Sequence, residues 1–221
     1  MPPPIVRGVF MVGGSALSDD KDAGVYLVDG KDGAVLIDAG AGDGTGDIVR
    51  NIGKAGVDPA RIKSLILTHC HVDHSGGIPG LQKRLGVRTV SHARCAEILA
   101  RGNDPRTAAG WYGMKLPPIL IDEPFDQDEL RVQLGDTELI CIFTPGHSPG
   151  SISIYMDRDG MRVLFGQDVH GPLHPVLASD ARLYKQSLAR LIALQADVLC
   201  EGHFGVFRPK AEVERYIRSY L

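Results

Sequence analysis

The chain is poor in several features that would each direct a functional reading. Its four cysteines, Cys70, Cys95, Cys141 and Cys200, are widely spaced and form no CxxC pair. They outline no disulfide framework, and the expectation is four reduced thiols in a cytoplasmic protein. No block of basic residues interrupts a formal net charge of −3, so neither a nucleic-acid partner nor attachment to an anionic membrane surface is expected. No apolar run approaches the length of a membrane span. The opening Met1-Pro2-Pro3-Pro4 lacks the basic start and long apolar stretch of a signal peptide. Long linkers, repeats and low-complexity segments are missing. The glycine-rich Ala39-Gly40-Ala41-Gly42 lacks a following Gly-Lys-Ser/Thr and does not match GxGxxG, which favours a tight turn over a phosphate cradle.

What is present is a chain of 221 residues, 43% hydrophobic, enough for one large domain with a substantial core. Short apolar runs at Val6 to Val12, Val25 to Asp29, Ala34 to Asp38, Ser64 to Leu67 and Val87 to Ser91 read as strands. So do Glu138 to Phe143, Ser151 to Met156, Met161 to Phe165 and Asp197 to Cys200. Helical spacing marks Ile48 to Ala55, Ile78 to Leu85, Cys95 to Ala100, Ala181 to Leu194 and Lys210 to Leu221. Arg101 to Pro118 mixes glycine and proline with Trp111, the only tryptophan, and Tyr112; loops of this kind often cover a pocket.

The chain is organised around Thr68-His69-Cys70-His71-Val72-Asp73-His74-Ser75-Gly76-Gly77, which leaves a strand and enters a helix. On extended backbone His69 and His71 share one face and Cys70 takes the other. Three imidazoles and a carboxylate in six residues are costly to bury unpaired and well suited to a borderline divalent metal. Asp38, at a strand end, is placed to accept hydrogen bonds from this loop. His147, Asp168 and His203 also sit just past apolar runs. Strand ends on one sheet edge converge, so the set offers five histidines and two aspartates, enough for two metal ions sharing a carboxylate.

His69-Xaa-His71-Xaa-Asp73-His74 followed by His147, Asp168 and His203 resembles the ligand set of the metallo-β-lactamase-fold hydrolases, and Thr144-Pro145-Gly146-His147-Ser148-Pro149-Gly150 resembles the glyoxalase II-like branch. The resemblance implies one such domain over residues 1–221, an α/β four-layer αββα sandwich. It implies His69, His71 and His147 on a first metal, Asp73, His74 and His203 on a second, and Asp168 bridging both. Zinc is the expected metal of the dinuclear site, with iron or manganese as alternatives. The implied reaction is hydrolysis of a small thioester or carboxylic ester by a metal-bridging hydroxide. Asp73 would also orient that hydroxide or pass on a proton. Cys70, turned away, is not expected to be a nucleophile.

A lactonase of the same fold uses the same chemistry. A persulfide dioxygenase, holding one iron on the positions of His69, His147 and Asp168, is an alternative of another class, which Thr-His-Cys-His resembles. The arginine- and aspartate-containing stretch of that family is not evident after Asp168. Gly166-Gln167-Asp168-Val169-His170 departs from the Gly-Asp pattern of the glyoxalase II branch, and the short stretch after His203 does not suggest its glutathione-gripping helical domain. The expected partner is a small-molecule substrate, with His170, His92 and Tyr112 as candidate contacts; no feature specifies an oligomeric state.

Overall fold

The computed structural model describes residues 3–221; Met1 and Pro2, part of the start read above, lie outside it. Strands β1 (Val9–Gly13), β2 (Val25–Gly30), β3 (Gly33–Ile37), β4 (Ile62–Ile66), β5 (Arg88–His92) and β6 (Glu123–Phe125) pair in that order into one sheet. A second sheet takes β7 (Glu129–Leu134), β8 (Thr137–Phe143), β9 (Ile152–Arg158), β10 (Met161–Gln167), β11 (Val198–Glu201) and β12 (Val206–Phe207), also in order. β3 to β6 are parallel, β10 and β11 are parallel, and the remaining pairs are antiparallel.

The period of two in each strand decides the layering. In β3, Val35 and Ile37 point between the sheets and Ala34 and Leu36 point outward; in β8, Leu139 and Cys141 point inward and Ile140 and Ile142 outward. Both faces of each sheet are therefore apolar, and each outer face requires helices. α1 (Thr45–Lys54), α2 (Val72–Ser75), α3 (Ile78–Leu85) and α4 (Ala93–Arg101) cover the first sheet, with Ile48, Ile52, Leu81 and Ile98 buried in its outer core. α5 (Ala181–Ala193) and α6 (Lys210–Arg218) cover the second through Leu188, Leu191, Val213 and Ile217. The result is the expected αββα sandwich. Each fully buried side chain such as Leu27 or Ile37 contributes about 1.5–3 kcal/mol relative to exposure.

Local departures from the sequence reading have plain causes. β1 begins at Val9 because Gly8, at φ +72°, turns the chain after Val6. β6 was not foreseen, since Glu-Pro-Phe carries no apolar alternation and pairs with β5 at the sheet edge. The four cysteines are unpaired and buried. Among the described residues no helix is long and apolar enough to cross a membrane.

Candidate metal centre

β4 delivers Thr68 to His74 at its C-terminal end. Asp38, just past β3, holds this loop: its Oδ1 accepts from Thr68 N at 2.8 Å, and its Oδ2 accepts from Thr68 Oγ1 at 2.8 Å and from His74 Nδ1 at 2.7 Å. Thr68 has thereby spent its only proton, so toward His69 Nδ1, 3.1 Å away, its hydroxyl accepts. Ala39 N donates to His74 O and Gly77 N to Gly40 O, both at 2.8 Å, which fastens the glycine-rich turn beneath the loop. A Cβ at Gly77 would collide with the Ala39 carbonyl oxygen, so only glycine permits this approach.

β8, β10 and β11 run parallel to one another and bring the other candidates to the same end. After β8 the proline-rich turn presents His147, whose Nδ1 donates to Pro172 O at 3.1 Å. α5 braces this turn from its N-cap and its middle, with Asp180 N donating to Gly146 O and Ser187 Oγ to Pro145 O. A bulge between Phe165 and Gln167 re-aims the end of β10. Gln167 takes φ +52° and Asp38 φ +64°. Non-glycine residues in this region cost energy and cluster where surrounding structure holds a functional geometry. After β11, Glu201 is fully buried and accepts from His203 N, Phe204 N and His170 Nδ1 at 2.7, 2.8 and 2.8 Å. Sequence reasoning gave Glu201 no role; a carboxylate ending an apolar strand two residues before His203 was the available signal. Ile152 N donates to Thr68 O at 2.9 Å and Gly24 N to Gly202 O at 2.7 Å, joining the two sheets beside the site.

All seven candidate ligands meet. His69 Nε2 and His147 Nε2 each lie 3.0 Å from His71 Nδ1. Asp168 turns one oxygen to each half of the cluster. Oδ2 stands 3.3 Å from His147 Nε2 and 3.8 Å from His69 Nε2; Oδ1 stands 3.1 Å from His74 Nε2 and 3.5 Å from His203 Nε2. Asp73 Oδ2 is 3.2 Å from His203 Nε2 and also accepts from Tyr112 Oη at 2.9 Å. The potential donor atoms of His69, His71, His147 and Asp168 lie within 4.8 Å of one another, as do those of Asp73, His74 and His203.

The electrostatics fit cations. Burial, reinforced by neighbouring imidazoles, holds His69 well below the ordinary histidine range and His71 at about 3, leaving neutral lone pairs. Burial alone would lower His74, yet Asp168, Asp38 and Asp73 raise it well above the ordinary range. For His203 burial is likewise outweighed, by hydrogen bonding to Asp168 and Asp73, which lifts it to about 10. Burial works against ionising Asp168 and Asp73, but the histidines, His74 foremost, hold both below the usual carboxylate range. His71 Nε2, His74 Nε2 and Asp168 Oδ1 are buried without a hydrogen-bond partner. His74 Nε2 and Asp168 Oδ1 are only 3.1 Å apart but not aligned to bond each other. The orphaned His74 Nε2 and Asp168 Oδ1 lie inside the cluster, His71 turns its Nδ1 to it, and the rings of His69, His74 and His147 are each fixed through the other nitrogen, a donor set suited to divalent metal.

The remaining candidates separate. Tyr112 reaches the cluster through Asp73. His170 stands beside His203, ring centroids 5.1 Å apart, with Nδ1 on Glu201. His92, expected as a substrate contact, is used otherwise: its ring stacks on Phe143 at 4.1 Å and its Nδ1 caps α4 by accepting from Arg94 N. Cys70 is buried in the core between helices and first sheet, as strand alternation required. A recess of about 630 Å³ lined by Arg7, Asp29, Arg158 and Asp159 contains none of these groups.

The metallo-beta-lactamase superfamily model matches residues 22–203, spanning the whole cluster. Human acyl-coenzyme A thioesterase MBLAC2 is 32% identical over 232 residues, covering 90% of this chain and 79% of its own. The probable metallo-hydrolase YflN of Bacillus subtilis is 28% identical, covering 76% and 74%. A metallo-beta-lactamase of Cronobacter sakazakii with a HARLDQ motif superposes with a TM-score of 0.81 at 28% identity, over 100% of this chain and 94% of that one. The chain belongs to the metallo-beta-lactamase superfamily, and within it to the metal-binding hydrolases.

Proposed function

We propose that this chain is a dinuclear metal-dependent hydrolase acting on a small thioester or carboxylic ester. The observation that carries this reading is the Asp168 carboxylate, with Oδ2 toward His69 and His147 and Oδ1 toward His74 and His203. His69, His71 and His147 would hold one ion, Asp73, His74 and His203 the other, with Asp168 shared. Nitrogen and oxygen donors without thiolate suit zinc, with iron or manganese as alternatives. Two divalent ions, when bound, lower the pKa of water from 15.7 to roughly 7 and polarise a carbonyl.

The chain's own residues then position and exclude. Asp73 presents a carboxylate oxygen that holds or passes a proton at the cluster. Tyr112 Oη, now on Asp73, lies where it can donate to a substrate oxygen. Buried walls exclude bulk water, and the Asp38–Thr68–His69 chain locks ring orientation. No protein nucleophile is required. A one-iron oxygenase would leave Asp73, His74 and His203 without a task, whereas here His74 and His203 stand beside Asp168 Oδ1 and Asp73 beside His203. The named activity of the human relative supports placing acyl thioesters first and lactones second.

Metal content per chain, measured on protein purified without added metal, tests this reading together with anaerobic turnover of a thioester and lactone panel. Two equivalents of zinc, or of mixed zinc, iron and manganese, with anaerobic hydrolysis are expected. One equivalent of iron with oxygen consumption on a persulfide would overturn it.

A further inference from the structure

Eight large hydrophobic side chains are exposed among the described residues, and four of them, Trp111, Leu173, Val176 and Phe204, belong to segments that touch the metal cluster. Trp111 precedes Tyr112, which donates to Asp73 Oδ2; Phe204 follows His203, whose Nε2 is 3.2 Å from that same oxygen. Leu173 follows Pro172, whose carbonyl accepts from His147 Nδ1. Val176 N donates to His174 Nδ1, and the His174 ring packs edge-on against Trp111 at 5.3 Å. Phe204 meets the His170 ring edge-on at 4.9 Å. Trp111 is 53% exposed and Phe204 61%, so each presents most of a ring to solvent beside buried, charged groups. Single exposed apolar residues need no explanation, but an apolar set bordering a polar centre marks a binding surface.

We propose that Trp111, Leu173, Val176 and Phe204 form an acyl-chain subsite, and that the substrate is a thioester or ester of an extended apolar acyl group. The proposal rests on the hydrolase reading for the position of the scissile carbonyl. A carbonyl held at the cluster must lay its flanking groups over this rim, and covering the rim with methylenes removes apolar surface from water on both partners.

The test uses the full chain as purified and alkyl thioethers of N-acetylcysteamine, from ethyl to decyl, which lack the reacting carbonyl. Trp111 is the only tryptophan, so its emission reports directly on the rim. Expected are a blue shift on binding and an affinity rising about three- to fourfold per methylene until the rim is covered. Leu173→Ser with Val176→Ser, and separately Phe204→Ser, should flatten that rise. Met161→Ser, at the end of β10 away from Asp168, should not. Affinity independent of chain length, or rising without any change in Trp111 emission, overturns the subsite; if acetyl thioester is still hydrolysed, the hydrolase reading survives that failure. A steep chain-length dependence with no thioester, ester or lactone turned over establishes the subsite and overturns the hydrolase reading instead. The wild-type titration alone decides the proposal should a variant not fold.

Discussion

Asp38 Oδ2 and His74 Nδ1 lie 2.7 Å apart, a carboxylate–imidazole pair sealed from solvent, in which the carboxylate backbone sits at φ +64°. Asp38 thereby fixes which nitrogen of His74 faces Asp168, and through Thr68 it does the same for His69. Asparagine tolerates this backbone region nearly as well as aspartate, so Asp38→Asn isolates the charge. The expected outcome is metal affinity weaker by roughly 10- to 100-fold with the fold retained, measured by chelator competition alongside circular dichroism. Unchanged affinity would remove Asp38 from the support of the site.

Asp168→Ala should abolish the shared ligand. Fewer than two ions per chain and a loss of hydrolysis exceeding about a hundredfold are expected, read by elemental analysis and turnover on one preparation. His203→Ala should release chiefly one ion, because His69, His71 and His147 remain assembled. Two ions retained in both variants would show the assignment to be wrong.

Much of this arrangement was legible in the chain because each side chain in question follows a short apolar run, and parallel strands of one sheet end together. The two-residue spacing of His69 and His71 set their common side, and Asp38 was readable from its place at a strand end. His92 was misread by the same logic. It too ends a strand, but β5 lies toward the far edge of its sheet, and the residue that follows starts a helix whose free N–H groups need an acceptor. Glu201 was passed over because two of its three partners are backbone N–H groups, which leave no sequence pattern, so only its place at the end of an apolar strand, two residues before His203, marked it. Tyr112 depended on how a stretch of glycine, proline and short turns folds back, and local propensity does not specify that.

Tyr112→Phe removes one hydroxyl, the donor to Asp73 Oδ2 at 2.9 Å. If that hydroxyl serves the reacting oxygen, the loss is one charge-assisted hydrogen bond, about 1.5–3 kcal/mol. A fall in kcat of about ten- to a hundredfold, with unchanged metal content, is the expected result. A fall in metal content with normal turnover per bound ion would instead place Tyr112 solely behind Asp73.

The affinity for zinc should depend on pH with a definite sign. In the metal-free chain His74 is held well above the ordinary range and His203 at about 10, so both carry protons at neutrality; His71, at about 3, carries none. Ligation must displace the protons on His74 and His203. Apparent affinity therefore rises with pH through the neutral range, by about tenfold per pH unit for each proton displaced, and zinc addition acidifies a weakly buffered solution. Titrations at about pH 6, 7 and 8 check the slope, and a flat profile would contradict the protonated pair.

Gly77 and Gly53 should respond oppositely to alanine, although both are glycines near the same sheet. At Gly77 the added Cβ meets the Ala39 carbonyl oxygen, part of the backbone that donates to His74 O. Neither the segment after β3 nor the start of α3 can retreat without breaking the 2.8 Å bonds that hold the histidine loop. Overpacking of this kind costs about 1–3 kcal/mol, and the displaced loop should also lower metal content. At Gly53, inside α1, a Cβ meets nothing within 4 Å. There alanine restricts the unfolded chain and improves helix propensity, a gain of about 0.4–1 kcal/mol. Thermal melts of the two variants, with metal assayed on each, separate the explanations. A Gly77→Ala protein as stable and as metal-rich as the parent would mean that the turn beneath the site does not need its close approach. A destabilised Gly53→Ala protein would mean instead that α1 is not held as its packing indicates.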